Sequence, residues 1–299
     1  MEQSIFNYKI GEHRDPKFIK MLINEYNNTD ISLSDLSKKY HTDASYQFKI
    51  NNIPKRNGAL QRSLSRTGCI NFNWEGKKIE TEEQAYIAGI FFSDGYVGKQ
   101  QLGLRLQKKD KKLVEQIKDY FSKDIKLQEN KSNYSFTLSS MIVCQNFIDL
   151  GMLRDKTKVG ISVPQMDKSL YRHFIRGYFD GDGTIYVCNT KTNYSCLKTC
   201  ICSATIGILE EFQKILSDNG IESKINKENR KGKVMKVPQG TTLCAMDMYR
   251  LFIRKKSEIK KFYHFLYDDS HIFLERKKNK FDTNINLLDY TKKHMSIPS

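Results

Sequence analysis

This chain of 299 residues contains no run of about 18 apolar residues, so no segment reads as a membrane-spanning helix. Its opening stretch, Met1 to Lys9, has no apolar core and is not expected to act as a signal peptide. No CxxC pair occurs among the seven cysteines, and the six histidines show no metal-ligand spacing, which argues against a structural zinc site. Cysteines used in this way, with Cys200-Ile201-Cys202 inside a strand-like run, suit a reducing intracellular compartment, whether a bacterial or phage-infected cytoplasm or an organelle. Acid is the scarce charge: 34 acidic residues stand against 50 lysines and arginines, a net charge of +16. That excess favours a polyanionic partner through phosphate contacts and counterion release, and by itself does not separate DNA from RNA. The chain is long enough for a sizeable core and for two or three units.

What the chain does have is an internal echo. One stretch reads Tyr86-Ile87-Ala88-Gly89-Ile90-Phe91-Phe92-Ser93-Asp94-Gly95-Tyr96-Val97, and another Phe174-Ile175-Arg176-Gly177-Tyr178-Phe179-Asp180-Gly181-Asp182-Gly183-Thr184-Ile185. They align without a gap, with Asp94 and Asp182 lying 88 residues apart. Each is apolar enough to be a buried helix and ends on Asp-Gly, where Gly reaches the left-handed conformation that commonly closes a helix. Each carries small residues four apart, Gly89 with Ser93 and Gly177 with Gly181, a spacing that lets two backbones approach closely. Two such helices packed through those faces would bring Asp94 and Asp182 side by side. Paired carboxylates are costly without a proton or cation between them. Hard divalent ions bind through one or two carboxylates plus phosphate oxygens, and a pair of such sites is a clamp for in-line phosphodiester cleavage.

Ile87 to Gly95 and Ile175 to Gly183 resemble the LAGLIDADG motif, and from about residue 80 to 285 the chain resembles a single-chain, two-repeat LAGLIDADG homing endonuclease. The resemblance implies that Asp94 and Asp182, at the eighth motif position, hold Mg²⁺ or Mn²⁺. At the sixth position, often acidic in the family, stand Phe92 and Asp180, so whether Asp180 assists stays open. It also implies one basic residue per half near the scissile phosphate: Lys277 in Phe273-Leu274-Glu275-Arg276-Lys277-Lys278, and Lys156 in Leu153-Arg154-Asp155-Lys156-Thr157. A polar residue at the strand end before the second helix falls on Gln107, opposite Ser203 when Leu113 is aligned with Leu209. The implied fold is α+β, two pseudo-symmetric αββαββα repeats forming a DNA-binding saddle. The implied reaction is a double-strand break with short 3′ overhangs, made by a monomer on a long asymmetric duplex. No HNH-type nuclease motif is present.

The residues between the motifs read in the same order twice. Leu102 to Gln107 is strand-like, and Leu113, Val114, Ile117, Tyr120 and Phe121 follow at helical spacing, with Asp110 as the expected N-cap. In the second half, Thr184 to Cys188 and Cys196 to Cys202 read as strands around a turn at Asn189 to Asn193. Ile208, Leu209, Phe212, Ile215 and Leu216 form the matching helix, closed by Asn219-Gly220. Tyr134, Phe136 and Leu138 alternate, as do Ile221, Ser223 and Ile225. Side chains leaving these sheets are the candidate DNA readers: Arg105, Gln128, Asn130 and Lys131 in the first half, then Tyr186, Asn189, Lys191, Lys198, Lys224, Asn226, Lys227 and Arg230 in the second. Arg and Lys suit guanine edges, Asn and Gln adenine.

Ahead of the repeats, residues 1–53 read as a small all-α, helix-turn-helix-like unit. Asp15-Pro16 opens a helix with a Phe18, Ile19, Leu22, Ile23, Tyr26 stripe. Ser32 to Asp35 starts a second helix, and Thr42 or Asp43 starts a third in the recognition position, with Tyr46, Gln47 and Lys49 as groove or phosphate contacts. An ordinary three-helix bundle is the alternative. Residues 54–80 read as a basic linker anchored by Trp74, 81–168 and 169–285 as the two repeats, and 286–299 as a tail. The expected activity is metal-dependent DNA endonuclease. Two rivals stay open: a maturase binding intron RNA without chemistry, and a transcription regulator with a silent core.

Overall fold

The structure, a computed structural model, describes residues 16–29, 31–53, 55, 72–189, 195–237 and 240–288. Lys191 and Asp15 lie outside the described residues, as do most of the basic linker and the tail beyond residue 288.

Three short helices open the described chain: α1 (Pro16–Asn28), α2 (Leu33–Lys39) and α3 (Ala44–Ile50). Ser32 and Asp43 cap the second and third, their side chains accepting from the Asp35 and Tyr46 amides. Phe18, Leu22, Tyr26, Leu36, Ala44 and Phe48 form a core of their own, separate from the main one. Gln47 is buried in this unit and is therefore not a groove contact, whereas Tyr46 and Lys49 on the same helix face solvent. The seven-residue helix has one apolar face, and Gln47 precedes Phe48 on it.

Thr81 caps α4 (Glu82–Asp94), accepting from the Gln84 amide, with Glu82 and Glu83 on the favourable positive end of the helix dipole. Every residue from Ala85 to Ser93 is buried, so this helix is a core rod and not a surface element. Its partner is α8 (Tyr171–Asp182), buried from Phe174 to Asp180. The two meet through glycine. A methyl group at Gly89 would sit 2.1 Å from the Phe174 carbonyl oxygen, and one at Gly177 would sit 2.1 Å from that of Tyr86. The backbones touch, as the small-residue spacing predicts.

From each rod the chain runs through the same sequence of elements. In the first half come β1 (Tyr96–Val97), β2 (Leu102–Gln107), α5 (Lys111–Phe121), β3 (Gln128–Glu129), β4 (Asn133–Leu138), α6 (Met141–Asp149) and α7 (Lys156–Val159). The second half follows α8 with β5 (Gly183–Asn189), β6 (Ser195–Ser203), α9 (Gly207–Asp218), β7 (Lys224–Glu228), an added hairpin of β8 (Val234–Val237) and β9 (Gly240–Leu243), β10 (Met248–Ile253), α10 (Lys256–Tyr267) and α11 (Glu275–Asn284). Both main sheets are antiparallel with the same order, β1-β2-β4-β3 and β5-β6-β10-β7. The fold is α+β, built of two pseudo-symmetric units. Ile221 and Ser223 precede β7, which starts at Lys224.

Period-two alternation decides which side chains leave the sheets. Leu102, Leu104 and Leu106 point to the helices with Phe136 and Leu138, and Leu197 and Ile201 do so in the second half. The other faces carry the exposed Arg105, Gln107, Lys198 and Lys224. Trp74 packs on Phe121 at 5.6 Å and on Phe147 at 5.5 Å, and its indole N–H donates to the Lys78 carbonyl, fixing the chain just before α4.

Two sequence expectations about helix ends need correction. Gly95 and Gly183 follow the rods at φ −79° and −82°, in extended and not left-handed backbone. They are glycine for room: a methyl at Gly95 would lie 2.5 Å from the Phe91 ring, and one at Gly183 would lie 2.2 Å from the Phe179 ring. Asp110 precedes α5 but makes no cap hydrogen bond with it; its carboxylate goes to Arg276 in the other half.

Candidate active site

Asp94 and Asp182 are the last residues of the two rods, so the tight seam carries them to the same end of the helix pair. A methyl group at Gly181 would fall 1.9 Å from Ser93 Oγ and 2.8 Å from Asp94 Oδ2, which places the first carboxylate against the last turn of the partner helix. Burial raises both acids above their ordinary range. Asp182 is pushed up to about 6, by burial first and then by the charge of Asp94.

Two carboxylates at helix C-termini face the negative ends of two dipoles, an unfavourable place for them. Two lysines offset this. Lys156 Nζ donates to the carbonyls of Phe91 at 3.2 Å, Phe92 at 2.9 Å and Gly95 at 2.8 Å, and also to that of Ser93. Lys277 Nζ donates to Phe179 at 2.6 Å, Gly181 at 3.0 Å and Gly183 at 2.6 Å. The acceptor sets at 91, 93, 95 and at 179, 181, 183 repeat with the 88-residue offset of the motifs. Burial lowers both lysines to about 8, with the nearby aspartates pulling them back up. Each ammonium is thus committed to the end of its own rod. Lys277→Met should remove the charged donor from three carbonyls, that of Phe179 keeping the Gly183 amide, and cost about 2–4 kcal/mol, read as a shift of the urea unfolding midpoint.

Gln107 ends β2 opposite Asn133, exposed, in a shallow hollow with Arg105, Lys108 and Ser132. Its aligned counterpart Ser203 is buried and lines a small cavity with Asp182, Lys156, Tyr178 and Thr205. The two positions share a place in the repeat but not an environment.

On the outward face of the first sheet, Arg105 pairs across to Ser135, and Ser135 to Gln128. Asn130 binds Asn133 at 2.9 Å and Ser135 at 3.2 Å beside the exposed Lys131. The second sheet's outward face carries Tyr186 opposite Lys198, and Asn226 opposite Arg250. Lys224 stands exposed at the start of β7, opposite Phe252. Asn189 ends β5, paired in the ladder with Ser195. Lys227 does not join this face: it is opposite Tyr249 on the other side of the strand and pairs with Asp247 at 3.0 Å. Arg230 is taken by Glu228, its Nε donating at 2.8 Å. Arg250, which the sequence reading missed, sits centrally on the outward face and pairs with Glu228 at 2.8 Å. No polar–apolar alternation marks it in Tyr249-Arg250-Leu251-Phe252-Ile253, because its outward neighbour Phe252 is apolar.

A family model described as LAGLIDADG-like domain matches residues 169–266. The chain carries a LAGLIDADG-like domain. A search of curated proteins finds no match. Among solved structures, I-DmoI in complex with DNA and Ca is similar at 19% identity over 68% of this chain and 97% of that one, with a TM-score of 0.43. The LAGLIDADG homing endonuclease I-GzeII in complex with its DNA target is similar at 12% identity over 71% and 91%, with a TM-score of 0.47. The meganuclease I-SmaMI bound to uncleavable DNA is similar at 13% identity over 71% and 98%, with a TM-score of 0.45.

Within the LAGLIDADG-like domain, Asp180 faces away from the paired acids. It is fully buried, and accepts from Tyr86 Oη at 2.8 Å, Tyr267 Oη at 3.0 Å and the Leu274 amide at 2.7 Å. Arg176, one turn earlier, is also buried. It donates to the carbonyls of Ile272 at 2.9 Å and Leu266 at 3.0 Å, and to Glu82 at 2.6 Å across the seam. The sixth-position acid Asp180 and Arg176 at the second position of the motif thus fasten the C-terminal segment 266–274 to both rods. A second fastening is the bidentate pair of Arg276 with the buried Asp110, at 2.8 and 3.1 Å, from one half to the other. Arg276→Ala should cost about 1–3 kcal/mol, the 38% exposure of the arginine letting water reach the carboxylate in its place, with the Asp110→Ala, Arg276→Ala double variant losing less than the sum in a denaturation cycle.

Proposed function

We propose that this protein is a site-specific, metal-dependent DNA endonuclease that cuts both strands of a long asymmetric duplex as a monomer. The observation that carries this reading is the pair of carboxyls at the foot of a glycine seam, one from each half, that of Asp94 open to solvent and that of Asp182 half-buried. Both are raised by burial, and Asp182 also by its neighbour's charge. The donor set fits a hard cation: two carboxylates at the ends of the rods. Among the described residues no cluster of three or more His, Cys, Asp or Glu could hold a metal alone, so phosphate and water oxygens would complete the shell. Mg²⁺ or Mn²⁺, bound by Asp94 and Asp182, would supply Lewis-acid charge beside the scissile phosphates.

The chain's own part is positioning. The seam fixes the spacing of the acids, one per strand of the duplex. Lys156 and Lys277 hold the helix ends under them and set positive charge beside a phosphate backbone. The outward residues Arg105, Gln128, Asn130, Lys131, Tyr186, Lys198, Lys224 and Asn226 would meet the bases and phosphates, with Gln107 between the sheet and the cleavage centre. Lys49 and Tyr46 of the N-terminal unit would add phosphate contacts outside the central site.

The test is incubation of the protein and Mg²⁺ with a library of randomised duplexes, followed by sequencing of the cleaved ends. One family of long, asymmetric sites with short 3′ overhangs is expected. Ends scattered without a common site, or no cutting that depends on a divalent ion, would overturn the reading.

A further inference from the structure

We propose that Cys188 and Cys196 are a reversible redox pair, closing a disulfide across the β5–β6 hairpin by exchange with a small-molecule disulfide such as oxidised glutathione. The two cysteines are direct partners in the antiparallel ladder. Such partners have Cα atoms about 4.5–5.5 Å apart, inside the roughly 4.4–6.8 Å that a disulfide spans. Both are free thiols, half-buried on the same outward face, and Cys188 Sγ approaches the Cys196 carbonyl at 3.4 Å. No other described cysteine has a cysteine as its partner in register: Cys200 faces Thr184 and Phe252, and Cys202 faces Arg250.

Chemistry favours Cys188 as the attacking group. The adjoining Cys196 thiol, which hydrogen-bonds to it, and then Lys198 hold its thiol below the usual range, so it is the readier thiolate. Its sulfur attacks one sulfur of oxidised glutathione, forming a mixed disulfide and releasing one glutathione thiolate. Cys196, deprotonated, then attacks the Cys188 sulfur and releases the second. Two protein thiols are oxidised and one glutathione disulfide is reduced to two thiols, so atoms and electrons balance.

The next outward rung of the hairpin is Tyr186 opposite Lys198. A covalent rung beside them would fix the local twist of strands that, on the reading proposed above, lie on DNA, and so alter how tightly they bind.

The experiment treats the full chain with oxidised glutathione, digests it without reduction and maps linked peptides by mass spectrometry. A dominant Cys188–Cys196 peptide pair, released by dithiothreitol, is expected. Glutathione adducts without that link, or links spread over other cysteines, would overturn the proposal. This arm needs no DNA and stands even if the protein proves not to be a nuclease. In the second arm, the oxidised wild type should bind its selected duplex with an affinity changed by about threefold or more, and Cys188→Ser should show no change. An unchanged affinity in bridged protein would overturn the link between the bridge and DNA reading.

Discussion

Asp94→Asn and Asp182→Asn should each lower the cleavage rate by about a thousandfold or more while duplex binding stays within a few-fold, measured on the selected site with Mg²⁺. Asn keeps the shape of the carboxyl and removes the charge, so a loss confined to cutting separates chemistry from recognition. The same variants make a second, opposite prediction for stability. The folded Asp182 carboxyl titrates at about 6 against 3.8 for an ordinary aspartate. The folded state therefore holds a proton that the unfolded chain releases, and stability falls as pH rises between those values. Above about pH 6 the deficit is complete, at most about 3 kcal/mol from the size of the shift. Without metal at neutral pH, Asp182→Asn should thus be more stable than wild type, by a few degrees in Tm. Mg²⁺ should raise the Tm of wild type and leave the double Asn variant unmoved. Cutting that survives both substitutions, or an Asp182→Asn variant less stable than wild type at neutral pH, would remove the paired-acid site. An increase in stability paired with a loss of activity is the signature of residues kept for chemistry at a structural cost.

How far these features were legible depended on range. The rods and strands follow from apolar periodicity inside single segments, and the pairing of Asp94 with Asp182 follows from seeing one segment twice. The direction of side chains that answer to distant partners was not legible. Asp110 has the look of a cap, but its partner Arg276 lies 166 residues away. Lys227 stands among basic neighbours on β7, and only strand register shows it on the opposite face from Lys224 and Asn226. Gln47 is polar, yet the small three-helix core encloses it. Lys156 and Lys277 were found by position in the repeat, whereas their attachment to helix-end carbonyls needed the packed seam. The β8–β9 hairpin gave no apolar signal of burial because it has none: Val234 and Leu243 are opposite one another and both exposed.

Gly177→Ala and Gly89→Ala should be the most destabilising single-methyl changes in the chain, at about 3 kcal/mol or more each. At Gly177 the new carbon would lie 2.1 Å from the Tyr86 carbonyl oxygen and 3.0 Å from the Ile90 nitrogen; at Gly89 it would lie 2.1 Å from the Phe174 oxygen and 2.8 Å from the Tyr178 nitrogen. All are backbone atoms, so no rotamer change relieves the clash and the rods themselves must separate. Neither glycine has positive φ, so strain in the residue contributes nothing. Gly181→Ala is the informative contrast. Its methyl would meet Ser93 Oγ at 1.9 Å and Asp94 Oδ2 at 2.8 Å, oxygens that can swing away, and Ser93 Cβ at 2.6 Å, a single contact that asks for a smaller shift of backbone. That variant should lose less stability and yet lose cutting, because the atom that moves belongs to a proposed metal ligand. Gly207→Ala, where a methyl would meet nothing within 4 Å at the start of α9, should be neutral or slightly stabilising through helix propensity. Urea midpoints beside cleavage rates for these four variants test the seam directly. If Gly177→Ala unfolds like wild type, the rods are not in backbone contact, and the acids they carry are not held together in the way the site requires.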